Sequence, residues 1–164
     1  MREVIHDTDL CVIGGGISGV CAAISAARHG IKVVLMQDRP VLGGNASSEI
    51  RMWICGAHGD NNRETGILEE LELENLYRNP EANFNIWDSV LYEKVKAEKN
   101  ITLLLNCTCI DCEMNENRIV YIRGWQLTTE TYYTVNASLF ADCSGDSILA
   151  PLTGAEYRIG REAS

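Results

Sequence analysis

Positive charge is scarce in this chain. Lys and Arg number 14 against 23 Asp and Glu, a formal net charge of −9 over 164 residues. Such a chain has little with which to neutralise nucleic-acid phosphates or an anionic membrane, so both are disfavoured as partners. Long hydrophobic runs are missing too: no apolar stretch reaches membrane-spanning length. The opening residues lack the basic region and apolar segment of an export signal, so a cytoplasmic location is expected. Seven cysteines are present, but a complete set of metal ligands is not. Cys107-x-Cys109-x-x-Cys112 is the one cluster, and no nearby histidine or cysteine completes the four ligands that zinc usually takes. No metal is expected, and the odd total suits free thiols in a reducing compartment. Strand alternation predicts Cys107 and Cys109 on one face and Cys112 on the other.

What is present is ordinary for one globular core, with 46% apolar and 23% charged residues. The acids concentrate between Glu64 and Glu74 and read as a solvated helix face.

The most specific pattern lies at the front. Val4 to Ile13 is mostly apolar and predicts a strand buried on both faces. It runs into Gly14-Gly15-Gly16-Ile17-Ser18-Gly19, a Gly-x-Gly-x-x-Gly turn. Ile17, Val20, Cys21, Ile24 and Ala27 then recur at helical spacing, Gly30 stands where a helix would stop, and Ile31 to Met36 reads as a second strand. This is the pattern of a dinucleotide-binding βαβ unit. Gly14 permits the tight turn, Gly16 lets the backbone approach a pyrophosphate, and Gly19 lets the helix pack close to the sheet. The start of the helix offers free N–H groups and the positive end of its dipole to the phosphates.

An acid usually ends the second strand and accepts hydrogen bonds from the ribose. Here that position is Gln37, whose amide oxygen can accept without charge. Asp38 follows, and a one-residue shift along a strand would turn it to the other face. Arg39 comes next; a neutral residue beside an arginine would also suit a ribose 2′-phosphate, with Asp38 arguing against it. Val41 to Asn62 is a long loop rich in Gly, Asn and Ser, in which Ile50, Met52, Trp53 and Ile54 seek burial.

Further on, Gly66 to Asn79 predicts a helix with Ile67, Leu68, Leu71 and Leu76 on one side. A second helix starts at Asn85-Ile86-Trp87-Asp88, with Asn85 as cap and Trp87, Val90, Leu91 and Val95 as its apolar stripe. Ile101 to Leu105 is a strand. Thr108 to Met114, Arg118 to Leu127 and Thr131 to Thr134 predict short antiparallel strands, and Val135 to Phe140 a returning central strand.

The segment Asp38-Arg39-Pro40-Val41-Leu42-Gly43-Gly44-Asn45-Ala46-Ser47-Ser48-Glu49, preceded by the Gly-rich turn, resembles the FAD-dependent oxidoreductase family, with an FAD domain of the glutathione-reductase/fumarate-reductase type. Ala141-Asp142-Cys143-Ser144-Gly145-Asp146 is similar to the family's segment in which a last parallel strand delivers a Ser-Gly-Asp turn to the cofactor. The resemblance implies an α/β, Rossmann-like FAD-binding domain over 1–164, with a central parallel sheet, helices and an antiparallel β-meander. It implies a substrate domain and a further flavin-binding segment beyond this chain. It places Gly14, Gly16, Ser18 and Gly19 at the pyrophosphate of FAD and Gln37 at the ribose. Asp38 and Arg39 would lie near the adenosine. Gly43, Gly44 and Asn45 would approach the phosphate or ribityl region, the Cys109 backbone would meet the adenine edge, and Ser144, Gly145 and Asp146 would close the site.

The implied function is the FAD-binding portion of a flavin-dependent oxidoreductase acting on a small molecule, inactive by itself and prone to self-association. No catalytic residue declares itself; His58, in the long loop, is the one acid–base candidate. Two alternatives stand beside this reading. One is an NAD(P)-binding dehydrogenase domain, which predicts a helical crossover where the meander is read. The other is a non-enzymatic domain that kept the fold without the cofactor.

Overall fold

The first strand, β1 (Arg2–Ile13), is fully buried only at its end, over Cys11, Val12 and Ile13. The computed structural model describes residues 1–56, 60 and 64–160. Along the first half of β1, burial alternates, against the expectation of a strand buried on both faces. That half pairs with only one neighbour on the sheet and extends past the helix layer. At Asp9 and Leu10 both backbone N–H groups donate to the Lys32 carbonyl at 3.1 Å, where β1 gains its second neighbour.

Helix α1 (Ile17–Arg28) follows the Gly-rich turn and buries Val20, Ala23, Ile24 and Ala27. Strand β2 (Val33–Met36) is buried at every position, as a central parallel strand should be. Helices α2 (Gly66–Arg78) and α3 (Phe84–Ala97) lead to β3 (Ile101–Leu104). Strands β4 (Cys107–Asn115), β5 (Arg118–Gln126) and β6 (Thr131–Asp142) complete a sheet of order β3-β2-β1-β6-β5-β4. Strands β1, β2, β3 and β6 are mutually parallel; β5 pairs antiparallel with both β6 and β4.

The expected meander therefore leads from β3 to the last parallel strand, where the nicotinamide alternative required a helix. The two segments expected at Thr131–Thr134 and Val135–Phe140 are one strand. Tyr133 pairs at once with Gly124 of β5 and Val4 of β1, and neither Gly nor Pro interrupts the run.

Two cores flank the sheet. On the helix side Val20, Ile24, Leu35, Trp87 and Leu91 interlock. On the other side the meander covers Met36, Cys107, Ile122 and Val135. At Gly124 a Cβ would stand 2.6 Å from Met36 Cε and 2.8 Å from Cys107 Sγ, so a larger residue there would force these side chains to shift. A truncation such as Trp87→Ala costs about 3–5 kcal/mol in cores of this kind.

Several local expectations are corrected. Helix α3 is capped by Asn83, whose side chain accepts from the Asn85 N–H at 2.8 Å. Asp88 turns inward and accepts the Ser48 N–H at 3.0 Å, so Asn85 is not the cap. In α2 only Leu71 is buried, while Leu76 is 71% exposed. Five residues at about 100° each carry Leu76 roughly 140° around the helix from Leu71.

The acidic run is more than a solvated face. Glu70 pairs with Arg28 of α1 at 2.7 Å and with Lys94 of α3 at 3.2 Å, tying three helices together. The Arg28 hydrogen bond pulls the Glu70 carboxyl down to about 2. Cys112 shares the face of Cys107 and Cys109 after all. A register shift between Cys109 and Asp111 leaves Ile110 and Asp111 both exposed and returns Cys112 to the second core, where its thiol meets the Leu152 carbonyl at 3.2 Å. Among the described residues, no group of three or more His, Cys, Asp or Glu side chains is arranged to hold a metal ion. No described helix is long and apolar enough to cross a membrane.

Candidate functional site

Strands β1, β2 and β6 all end at one edge, and their following loops enclose a cavity of about 560 Å3. That is within the range of small-molecule sites. Position in the sheet explains the convergence: parallel strands deliver their C-terminal loops to the same side.

The Gly-rich turn forms the floor. Gly14, with φ +102°, donates its N–H to the Met36 carbonyl at 2.8 Å, and a Cβ there would stand 2.3 Å from the Cys143 carbonyl oxygen. Gly14 is thus squeezed between β2 and the end of β6. Gly19 stands behind the turn and does not line the cavity. Its Cβ would lie 1.9 Å from the Gly14 carbonyl oxygen, which is the close helix packing expected of the third glycine. Gly16 differs from both. It lines the cavity, has φ −64° and ψ 176°, and a Cβ there would meet nothing within 4 Å. The space above Gly16 is free for a ligand. Helix α1 begins at this point with no side-chain cap and no acid in its first turn. The chain therefore leaves the positive end of the dipole open to an anion.

The loop after β2 forms one wall. The Gly43 N–H donates to the Gly15 carbonyl at 2.8 Å, a short parallel bridge joins Gly43 to Gly16, and a 3-10 turn over Gly44–Ala46 follows. Gly43, Gly44 and Asn45 all line the cavity, as do Asp38 and Arg39. Arg39 reaches Glu49 at 3.3 Å. Gln37 is buried, 4% exposed. The Gly15 N–H donates to its Oε1 at 2.7 Å, and its Nε2 donates to the Val41 carbonyl at 3.2 Å. The amide thus fastens the Gly-rich turn to the loop.

The opposite wall comes from β6 and β4. Ser144, Gly145 and Asp146 line the cavity beside Cys143. Asp142, assigned no role from the sequence, organises this turn: its Oδ1 accepts the Ser144 N–H and hydroxyl, and its Oδ2 accepts the Leu149 N–H at 2.8 Å. Cys107 and Cys109 complete the adjoining wall, and burial pushes both thiols up to about 12. Burial also raises the Cys143 thiol, against the effect of a hydrogen bond with Ser18. These thiols are packing groups, not thiolates.

One end of the cavity is apolar. Ile50, Met52, Trp53 and Ile54 line it, and Trp53 stacks on Phe84 at 4.2 Å between ring centroids while remaining 45% exposed. These residues escaped the sequence reading as site residues; four large apolar side chains in a polar loop were the signal. His58, the acid–base candidate, lies outside the described residues.

Comparison with known proteins agrees with this geometry. The chain is 55% identical over 42 residues to a fumarate reductase (cytochrome) of Shewanella frigidimarina, a match covering 25% of this chain and 7% of that protein. It is 56% identical over 39 residues to a dihydrolipoyl dehydrogenase of Manduca sexta, covering 24% and 8%. The matches thus span less than a tenth of these relatives' length. The fold resembles that of the glycerol-3-phosphate dehydrogenase of Bacillus halodurans complexed with FAD, with a TM-score of 0.58 at 15% identity over 90% of this chain and 36% of that one. Residues 9–164 match the family described as FAD dependent oxidoreductase, and the chain belongs to that family.

Proposed function

We propose that this chain holds FAD along the 560 Å3 cavity, with the pyrophosphate over Gly16, the adenosine toward Asp38, Arg39 and Cys109, and the isoalloxazine ring toward Trp53. The open space above Gly16 at an uncapped helix start is the observation that carries this reading. The donor set also fits. Backbone N–H groups and Ser18 suit an anion, whereas the apolar end suits a planar ring.

FAD, when bound, supplies the redox chemistry. This chain's residues do the holding. Gly16 and the start of α1 receive the phosphates. Asn45 and Asp146 offer polar groups midway to the ribityl hydroxyls. The Ser144–Asp146 turn closes on the Gly-rich turn from the other side. Ile50, Met52 and Trp53 exclude water from the ring and give it an apolar bed. The reading extends to the chain as a whole: residues 1–164 form the FAD-binding unit of an oxidoreductase of small molecules, with the substrate held by a further domain. The much greater length of the matched relatives supports it.

The test is to purify the protein, release any cofactor by denaturation and identify it chromatographically. FAD is the expected product. A nicotinamide dinucleotide with no flavin would overturn the proposal.

A further inference from the structure

The corner of the cavity assigned to the adenosine holds two neighbouring side chains in opposite situations. Gln37 occupies the position where a dinucleotide fold usually carries its ribose-binding acid, yet both ends of its amide are engaged within the protein and the residue is buried. Oε1 takes the Gly15 N–H at 2.7 Å, Nε2 serves the Val41 carbonyl at 3.2 Å, and only 4% of the residue is exposed. A glutamate could not replace this, because a carboxylate has no donor for the Val41 carbonyl and would face its oxygen. Asp38 stands next to it, exposed, on the cavity wall, with no hydrogen-bond or ion-pair partner among the described residues. Its orientation escapes strand alternation because β2 ends at Met36. Arg39, the nearest cation in sequence, is turned to Glu49 at 3.3 Å.

We infer that Asp38, not Gln37, is the residue that recognises the adenosine ribose and decides between unphosphorylated and 2′-phosphorylated nucleotides. A ribose presents two adjacent hydroxyl donors, which the two oxygens of a free carboxylate match with charge-assisted hydrogen bonds. The same carboxylate repels a phosphate on the 2′ oxygen. Gln37 is the positioning residue: it holds the Gly-rich turn to the loop that carries Asp38. The division of labour separates two tasks, fixing the turn with a neutral two-sided amide and reading the sugar with a charge.

The inference rests on the placement of the adenosine proposed above, and one calorimetric experiment separates the two. The probes are ADP-ribose and 2′-phospho-ADP-ribose, which differ only in the 2′-phosphate. The wild-type protein is expected to bind ADP-ribose and to discriminate against its 2′-phosphate. Asp38→Asn keeps the shape and removes the charge. It is expected to weaken ADP-ribose roughly tenfold, about 1.4 kcal/mol, while 2′-phospho-ADP-ribose is held as well or better. Gln37→Ala is expected to lower the melting temperature and weaken both probes together, leaving their ratio unchanged. A ratio that shifts with Gln37→Ala and not with Asp38→Asn would overturn the inference and leave the cavity assignment standing. A wild-type protein that binds neither probe would overturn the adenosine placement itself, and the inference with it.

Discussion

The Asp142 carboxylate accepts the Ser144 hydroxyl at 2.6 Å and the Ser144 backbone N–H at 3.0 Å through the same oxygen. The Ser144 oxygen in turn accepts the Asp146 N–H at 3.3 Å and the Ile148 N–H at 3.2 Å. One carboxylate at the end of β6 thereby shapes the whole turn that faces the Gly-rich floor. Asp142→Ala should loosen it at a cost of about 1–3 kcal/mol, since these donors lose a charged acceptor. FAD affinity should fall with it. Denaturant melts together with flavin titration check both; an unchanged affinity would show that the turn does not touch the cofactor.

Gly16 and Gly19 should separate binding from folding. Gly16→Val has room, with nothing within 4 Å of the new Cβ and a φ of −64° that valine adopts. Stability should stay within about 0.5 kcal/mol, while FAD affinity should drop at least about 100-fold, roughly 2.7 kcal/mol. Gly19→Ala drives a Cβ to 1.9 Å from the Gly14 carbonyl oxygen and should cost about 3 kcal/mol of stability. Circular dichroism and flavin titration on both variants decide the matter. Tight FAD binding by Gly16→Val would place the pyrophosphate elsewhere.

The thiols should react in order of burial. Cys55 is exposed, whereas burial holds Cys107 and Cys109 near 12 and Cys11 higher still. Alkylation with iodoacetamide at pH 8, followed by peptide mass spectrometry, should label Cys55 first and Cys11 last. Because Cys107 and Cys109 line the cavity, added FAD should slow their labelling further and leave Cys55 unchanged. Equal labelling of Cys109 with and without FAD would contradict the adenine placement.

Acid should undo the helix-layer ion pairs. The Arg28 hydrogen bond lowers the Glu70 carboxyl from 4.5 to about 2. The lowered value means that the stabilisation is complete above about pH 4.5 and disappears as the pH falls toward 2. Glu70 is 38% exposed on its side chain, so solvent screens the gain to below about 1 kcal/mol. Glu70→Gln should therefore lower Tm by roughly 2 °C at pH 7 and by nothing at pH 2. A difference that persists at pH 2 would assign the effect to packing.

Much of this was legible in the chain. The Gly-x-Gly-x-x-Gly turn between an apolar run and a helical stripe was sufficient, because each glycine meets a local steric demand that few other contexts impose. The meander was legible from its turns, and the Ser144-Gly145-Asp146 turn only through its resemblance to the family's segment. What failed was the reading of direction. The faces of Cys112 and Asp38, the cap at Asn83 and the exposure of Leu76 all depend on where an alternation or a helical phase is interrupted.

The sequence by itself determined the order of elements and the identity of the glycine turn, since these follow from the spacing of apolar residues and the sterics of a missing Cβ. Only the tertiary structure decided which polar side chains remain available to a ligand. Gln37 and Asp38 are adjacent in the chain, but the hydrogen bonds of Gln37 are to Gly15, 22 residues away in sequence, and to Val41. The partner that satisfies a buried amide arrives through the fold, and its arrival leaves the neighbouring carboxylate free.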